Sequence, residues 1–173
     1  MLDFSAEIAY NCTILKEQSS IGEKKMKIVK GDLLNLFDAG EFDAIVHGCN
    51  CFNNMGAGIA LQIKQRYPEA WEADKHTIKG HKGKLGTYTL AKCSSGVVIN
   101  AYTQYYPGLN ELQENYEAIN QVMRKLGKLF EGKRVGIPLI GAGLAGGDWN
   151  IIRDIIRNNL EGMVDYTIVE WSK

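Results

Sequence analysis

The chain has 173 residues, and its 20 Lys+Arg against 20 Asp+Glu give a formal net charge of +0. One typical domain length with 45% apolar residues excludes a disordered chain, and the lack of a cationic surplus excludes general nucleic-acid binding, which needs cations to displace condensed counterions, while leaving room for a local basic pocket. Four scattered cysteines (Cys12, Cys49, Cys51, Cys93) do not form a disulfide framework, and no apolar run approaches the ~20 residues that span a bilayer, so the expectation is a reduced, cytoplasmic protein with no membrane partner.

Residues 1–25 lack clean periodicity. They carry no Lys or Arg through Tyr10, which is not a secretory pattern, and end in polar Ser19-Ser20-Ile21-Gly22-Glu23-Lys24-Lys25. They read either as an addition upstream of a natural start at Met26 or as an extension that packs on a domain spanning 26–173. Met26 to Asp32 reads as a short strand into a turn. Ala44 to His47 reads as a buried strand, with β-branched Ile45 and Val46. Gly56 to Tyr67 reads as a helix, with Ile59, Ile63 and Tyr67 on one face; Pro68 ends it or opens the next segment. Thr87 to Ala91 and Val97 to Tyr102 read as strands around a hairpin-like break at Ser94-Ser95-Gly96.

Leu112, Tyr116, Ile119, Met123, Leu126 and Phe130 step alternately by four and three, a helix closed at Glu131-Gly132. Arg134 to Ile140 is a strand, Asp148 to Leu160 a helix and Tyr166 to Glu170 a final strand. Helices interposed between strands predict a three-layer α/β/α fold with a mixed, largely parallel central sheet.

Two loops carry the functional signal. Asn50-Cys51-Phe52-Asn53-Asn54-Met55-Gly56-Ala57-Gly58-Ile59 follows a strand and feeds a helix, as does Gly141-Ala142-Gly143-Leu144-Ala145-Gly146-Gly147-Asp148. Glycine lets backbone amides approach a ligand, and a helix N-terminus offers free donors at the positive end of its dipole. Two such loops at the ends of parallel strands can grip one diphosphate from both sides. The bland alternative is that the glycines only make tight turns. Gly141 to Gly146 also fits G-x-G-x-x-G, with Glu170 near the place of a ribose-binding acid, so a dinucleotide-binding dehydrogenase is a rival; too little chain follows for its second half.

From Met26 onward the chain resembles a macrodomain, the ADP-ribose-binding module. The resemblance rests on Lys30-Gly31-Asp32-Leu33, Val46-His47-Gly48-Cys49-Asn50, Met55-Gly56-Ala57-Gly58-Ile59-Ala60 and Pro138-Leu139-Ile140-Gly141-Ala142-Gly143-Leu144, in the family's order and spacing. It looks closest to the branch holding the yeast ADP-ribose 1''-phosphate phosphatase and the terminal ADP-ribose protein glycohydrolase. The resemblance implies that Asp32, beside Leu33, receives the adenine amino group. It implies that Asn50 contacts the distal ribose, and that Met55, Gly56, Ala57, Gly58 and Ile59 with Gly141, Ala142, Gly143, Leu144 and Ala145 wrap the diphosphate. His47 replaces the first asparagine of the family's Asn-Ala-Ala-Asn motif. The glycohydrolase branch has a catalytic aspartate where this chain has Ala145, and a catalytic lysine that Asn100 to Tyr106 lacks.

For hydrolysis, Asp148 can orient or deprotonate a water, although it also suits a helix N-cap. His47 can protonate a leaving oxygen or simply bond backbone at a strand end, and Asn50 can hold a ribose hydroxyl or shape a turn. No Cys-x5-Arg loop and no paired zinc-ligand set is present, so neither metal nor thiol catalysis and no cofactor is expected. Among Phe52, Tyr102, Tyr105, Tyr106 and Trp149, Tyr105 or Tyr106 is the candidate to stack on adenine or wall the distal ribose. The expectation is an ADP-ribose-binding hydrolase acting on a derivative, first ADP-ribose 1''-phosphate. A non-catalytic reader and a hydrolase acting on ADP-ribosylated protein or nucleic acid are the alternatives.

Overall fold

The computed structural model describes residues 26–108, 116–142 and 146–172. The chain runs β1 (Lys27–Gly31), α1 (Leu33–Asp38), β2 (Ala44–Asn50), α2 (Gly58–Arg66), α3 (Pro68–Lys75), a 3-10 turn (Lys82–Lys84), β3 (Tyr88–Cys93), β4 (Gly96–Gln104), α4 (Tyr116–Leu129), β5 (Arg134–Pro138), α5 (Trp149–Leu160) and β6 (Asp165–Trp171). The sheet order is β1-β6-β5-β2-β4-β3, and only the β3–β4 pair is antiparallel. This is the mixed α/β/α sandwich that the alternation of elements predicts.

Strand alternation sorts the two faces. Val46, Ile99, Ala101, Ile137 and Ile168 pack under α4 and α5, whereas Ile45, Val98 and Val169 pack under α1, α2 and α3. Helix α4 presents Ile119, Val122, Met123 and Leu126 to the core, following its four-three spacing. It lies close to α5 because Gly127 has no side chain: a Cβ there would sit 2.6 Å from the Asn159 carbonyl oxygen. The N-terminal segment 1–25 and Leu112 lie outside the described residues.

The structure corrects several expected boundaries. The segment after β1 is a helix, α1, rather than a turn, because Asp32 caps it by accepting from the amides of Leu34 and Asn35. Strand β2 continues past His47 to Asn50, since Gly48 and Cys49 pair with Ala101 and Tyr102 of β4. Tyr67 both ends α2 and precedes α3, whose first position is Pro68; a residue before proline is pushed out of helical backbone, and proline suits a helix start. Strand β5 stops at Pro138, short of Ile140.

Candidate ligand-binding cleft

A cavity of about 240 Å³ opens where β1, β5 and β6 end and α1 and α2 begin. Asp32, Leu34, Gly58, Ile59, Leu139 and Trp171 are among its walls. Asp32 spends one carboxylate oxygen, Oδ1, on the α1 cap at 2.8 and 3.0 Å; among the described residues, Oδ2 has no protein partner. One wall of the cavity therefore carries a fixed acceptor. The opposite wall is the start of α2, whose N-cap Ala57 supplies no side-chain bond, so the helix presents uncapped amides and the positive end of its dipole. The wall residues Leu33, Gly58 and Ile59 that the sequence singles out meet here, while Gly56 and Ala57 form the exposed approach to α2.

The loop leading into α2 is held from below. Its Cys51 amide donates to the Tyr105 carbonyl at 3.0 Å, and Gly80 donates to the Cys51 carbonyl at 2.7 Å. The Lys84 ammonium reaches the Cys51 carbonyl at 3.2 Å and Asn53 Oδ1 at 3.0 Å, and pairs with Asp74 at 3.5 Å. Asp74 also accepts from the Tyr102 hydroxyl at 2.8 Å, and its backbone carbonyl accepts from the Asn53 amide. Both partners of the ion pair are buried. Met55 is buried against Cys49 and Tyr102, so its side chain packs inward instead of facing a ligand.

The second loop follows β5. Gly141 and Ala142 are half-buried; Gly143, Leu144 and Ala145 lie outside the described residues. Gly147 donates to the Gly141 carbonyl at 2.9 Å, closing the loop on itself, with positive φ at Gly141 and Gly146 that favours glycine. Asp148 caps α5 by accepting from Asn150, and its own amide donates to the Tyr116 hydroxyl at 3.0 Å. Asp148 is thus a cap, and it is exposed beside the loop.

The C-terminal ends of β2, β4 and β5 converge at Gly48. A Cβ on Gly48 would sit 3.0 Å from Thr103 Oγ1 and 3.4 Å from Ile140 Cγ1, so a side chain there would have to push against both. Cys49 pairs with Tyr102 but Asn50 pairs with Gln104, which leaves Thr103 as the extra residue of a bulge. Thr103 Oγ1 is buried and, among the described residues, has no hydrogen-bond partner. Sequence reasoning missed this hydroxyl; the one signal was a polar side chain following Ile99 and Ala101 on the otherwise apolar α4/α5 face of β4.

Two expected catalytic residues direct their side chains to partners within the protein. His47 is fully buried beneath α3, and its Nε2 lies 2.8 Å from Asn100 Oδ1. Asn100 in turn donates to the Ala70 carbonyl at 2.8 Å and Thr89 Oγ1 at 3.0 Å. Burial, the dominant influence, drops the His47 pKa to about 4, so the imidazole is neutral and faces no substrate; the expectation of a proton donor is corrected. Asn50 turns its side chain back on its own loop, donating to the Asn54 carbonyl at 2.8 Å and accepting from Phe52 at 2.9 Å, which is the turn-shaping role. Burial also pushes the Cys49 thiol well above its ordinary range, against a thiolate nucleophile. Tyr102 belongs to the interior, whereas Phe52, Tyr105 and Tyr106 form a surface cluster. Among the described residues no group of three or more His, Cys, Asp and Glu is placed to hold a metal ion.

Against known families, residues 46–156 match the Macro domain. The chain belongs to the macro domain family. An uncharacterised protein from the tk–vs intergenic region of Enterobacteria phage T4 is 36% identical over 155 residues, covering 84% of this macro domain chain and 96% of the relative. The DNA ADP-ribosyl glycohydrolase of Mycobacterium tuberculosis is 26% identical over 144 residues, 80% of this chain but only 40% of that protein. The ADP-ribose 1''-phosphate phosphatase of Aspergillus oryzae is 42% identical over 53 residues, 31% of this chain and 25% of that protein. In fold, the macrodomain of Thermus aquaticus DarG superposes with a TM-score of 0.66 at 19% identity, covering 86% of this chain and 98% of that one.

Proposed function

We propose that this macro domain binds ADP-ribose and hydrolyses a bond at C1'' of its distal ribose. The observation that carries the reading is the juxtaposition of the free Asp32 Oδ2 and the uncapped α2 amides across one cavity. Asp32 accepts from the adenine amine. The α2 N-terminus and the Gly141–Ala142 backbone take the diphosphate, where an anion suits a helix dipole. The distal ribose then reaches the space over Gly48, beside Thr103 and the loop that ends at Asp148. There Asp148 orients a water, whose hydroxyl joins C1'' as the linkage is cleaved and whose proton leaves with the departing phosphate or base.

ADP-ribose 1''-phosphate is the first substrate, supported by relatives named for that phosphatase activity. Removal of ADP-ribose from nucleic acid is the second, favoured by one observation: the DNA ADP-ribosyl glycohydrolase aligns with 80% of the chain, the phosphatases with 21% to 41%. Calorimetric titration with ADP-ribose, followed by phosphate release from the 1''-phosphate, tests the reading. Asp32→Ala is expected to weaken ADP-ribose binding by about tenfold or more, as loss of a charge-assisted hydrogen bond does. Asp148→Asn keeps a capping oxygen but no carboxylate, and is expected to abolish release while leaving binding intact. Binding without release from either linkage would make the protein a reader; no binding would sink the proposal.

A further inference from the structure

The charges of this neutral chain are segregated. From Lys75 to Asn110 there are five lysines and two histidines and no Asp or Glu. The carboxylates just upstream are engaged: Asp74 turns inward to Lys84 and Tyr102, and Glu72 pairs with Lys75 at 2.7 Å. Lys79, His81 and Lys82 are exposed, and among the described residues neither lysine is paired with a carboxylate.

This basic stretch is docked onto aromatic rings. Tyr105 donates its hydroxyl to the Gly80 carbonyl at 2.9 Å, and the Phe52 ring lies 3.3 Å from where a Cβ on Gly80 would be. The Lys82 ammonium is 5.7 Å from the Tyr105 ring centre. Phe52 and Tyr106 stack at 5.2 Å, Tyr105 meets Tyr106 edge-on at 4.6 Å, and Tyr106 is 52% exposed. Tyr105 follows directly on β4 and Phe52 lies two residues past β2, so the patch lies at the same edge of the sheet as the cavity, where β1, β5 and β6 end.

Lysines and exposed rings side by side suit a ligand with both phosphates and free base faces. A single strand offers its bases for stacking and its backbone for the ammonium groups. A duplex hides the base faces, and an acidic peptide uses the lysines but leaves the rings idle. We propose that this surface binds single-stranded nucleic acid and presents an ADP-ribosyl group carried by the strand to the cleft. The inference rests on the reading that the cleft takes ADP-ribose.

The test uses the full chain and a short, unmodified, fluorescent oligodeoxythymidine, read by anisotropy across a salt series, with ADP-ribose affinity measured in parallel. Wild type is expected to bind the strand, more weakly as salt rises. The Lys79→Glu/Lys82→Glu double variant is expected to flatten the log–log salt slope by about 1 or more, since each phosphate contact on a single strand contributes about 0.7. Tyr106→Ala is expected to lose about tenfold in strand affinity, the scale of one stacked base. The Lys79→Glu/Lys82→Glu variant should bind ADP-ribose as wild type does. No strand binding by wild type, or equal binding by the variants, overturns the inference and leaves the cleft reading standing. A polyglutamate peptide bound as tightly as the strand also overturns it, in favour of an acidic protein partner. Strand binding without ADP-ribose binding would sink the cleft reading instead.

Discussion

The loop after β2 is pinned from beneath by residues distant in sequence: Lys84 bridges Cys51 and Asn53 to the buried Asp74 carboxylate, and the Asp74 carbonyl accepts from Asn53. The loop after β5 is closed by its own backbone between Gly141 and Gly147, and meets α4 where Asp148 donates to the Tyr116 hydroxyl. One wall of the cleft is thus set by a buried charge network, the other by local turn chemistry. A buried network holds its geometry with or without ligand, because every alternative leaves a charge unpaired. Local closure fixes the chain path and leaves the exposed side chains free to differ.

Breaking the network should have the largest effect. Lys84→Met strands the Asp74 carboxylate in the interior, and urea denaturation should show a loss of about 3–5 kcal/mol, the scale of a broken buried pair. A loss below about 1 kcal/mol, the scale of an exposed pair, would mean that the pair does not set this wall.

A second effect comes from His47, joined to the same network through Asn100, Thr89 and Tyr102. Its folded pKa of about 4 lies below the unfolded value of about 6.5, so protons favour the unfolded chain. Stability is full above pH 6.5 and falls as pH drops toward 4, by up to about 3 kcal/mol. The lowered pKa values of Asp38 and Asp43 act only lower, in the carboxylate range. In His47→Gln the fall between pH 6.5 and 4 should disappear; an unchanged acid limb would contradict the buried neutral imidazole.

The smallest effect is expected at the second wall. Tyr116→Phe removes the hydroxyl that receives the Asp148 amide, at about 1 kcal/mol, one net hydrogen bond. Weaker ADP-ribose binding with nearly wild-type stability would sharpen the contrast between the walls. A stability loss as large as that of Lys84→Met would erase it.

What could be read from sequence follows the same division. The α4 spacing from Tyr116 onward and the Asp148 cap are local patterns, and each appears where its residues predict it. His47 misled because its partner, Asn100, lies 53 positions away, and no local pattern says that a strand-end imidazole will be sealed under α3. The Lys84–Asp74 pair was invisible for a related reason: both side chains look like surface charges until α3 and the 3-10 turn fold onto β4. Six-residue α1 escaped because it is too short to show a period; its one signal was Asp32, which looked like a turn and is a cap.

The pairing of β1 with β6 has a consequence for biosynthesis. Lys27 sits opposite Thr167 and Gly31 opposite Trp171, so the strand that precedes Asp32 has its sheet partner at the far end of the domain. The cavity beside Asp32 is walled by Val169 and Trp171 of that same partner. A nascent chain still holding β6 inside the ribosome has made both loops but cannot close this wall. Ligand recognition is therefore among the last properties the domain acquires during synthesis, and ligand present at that moment would favour the final docking step.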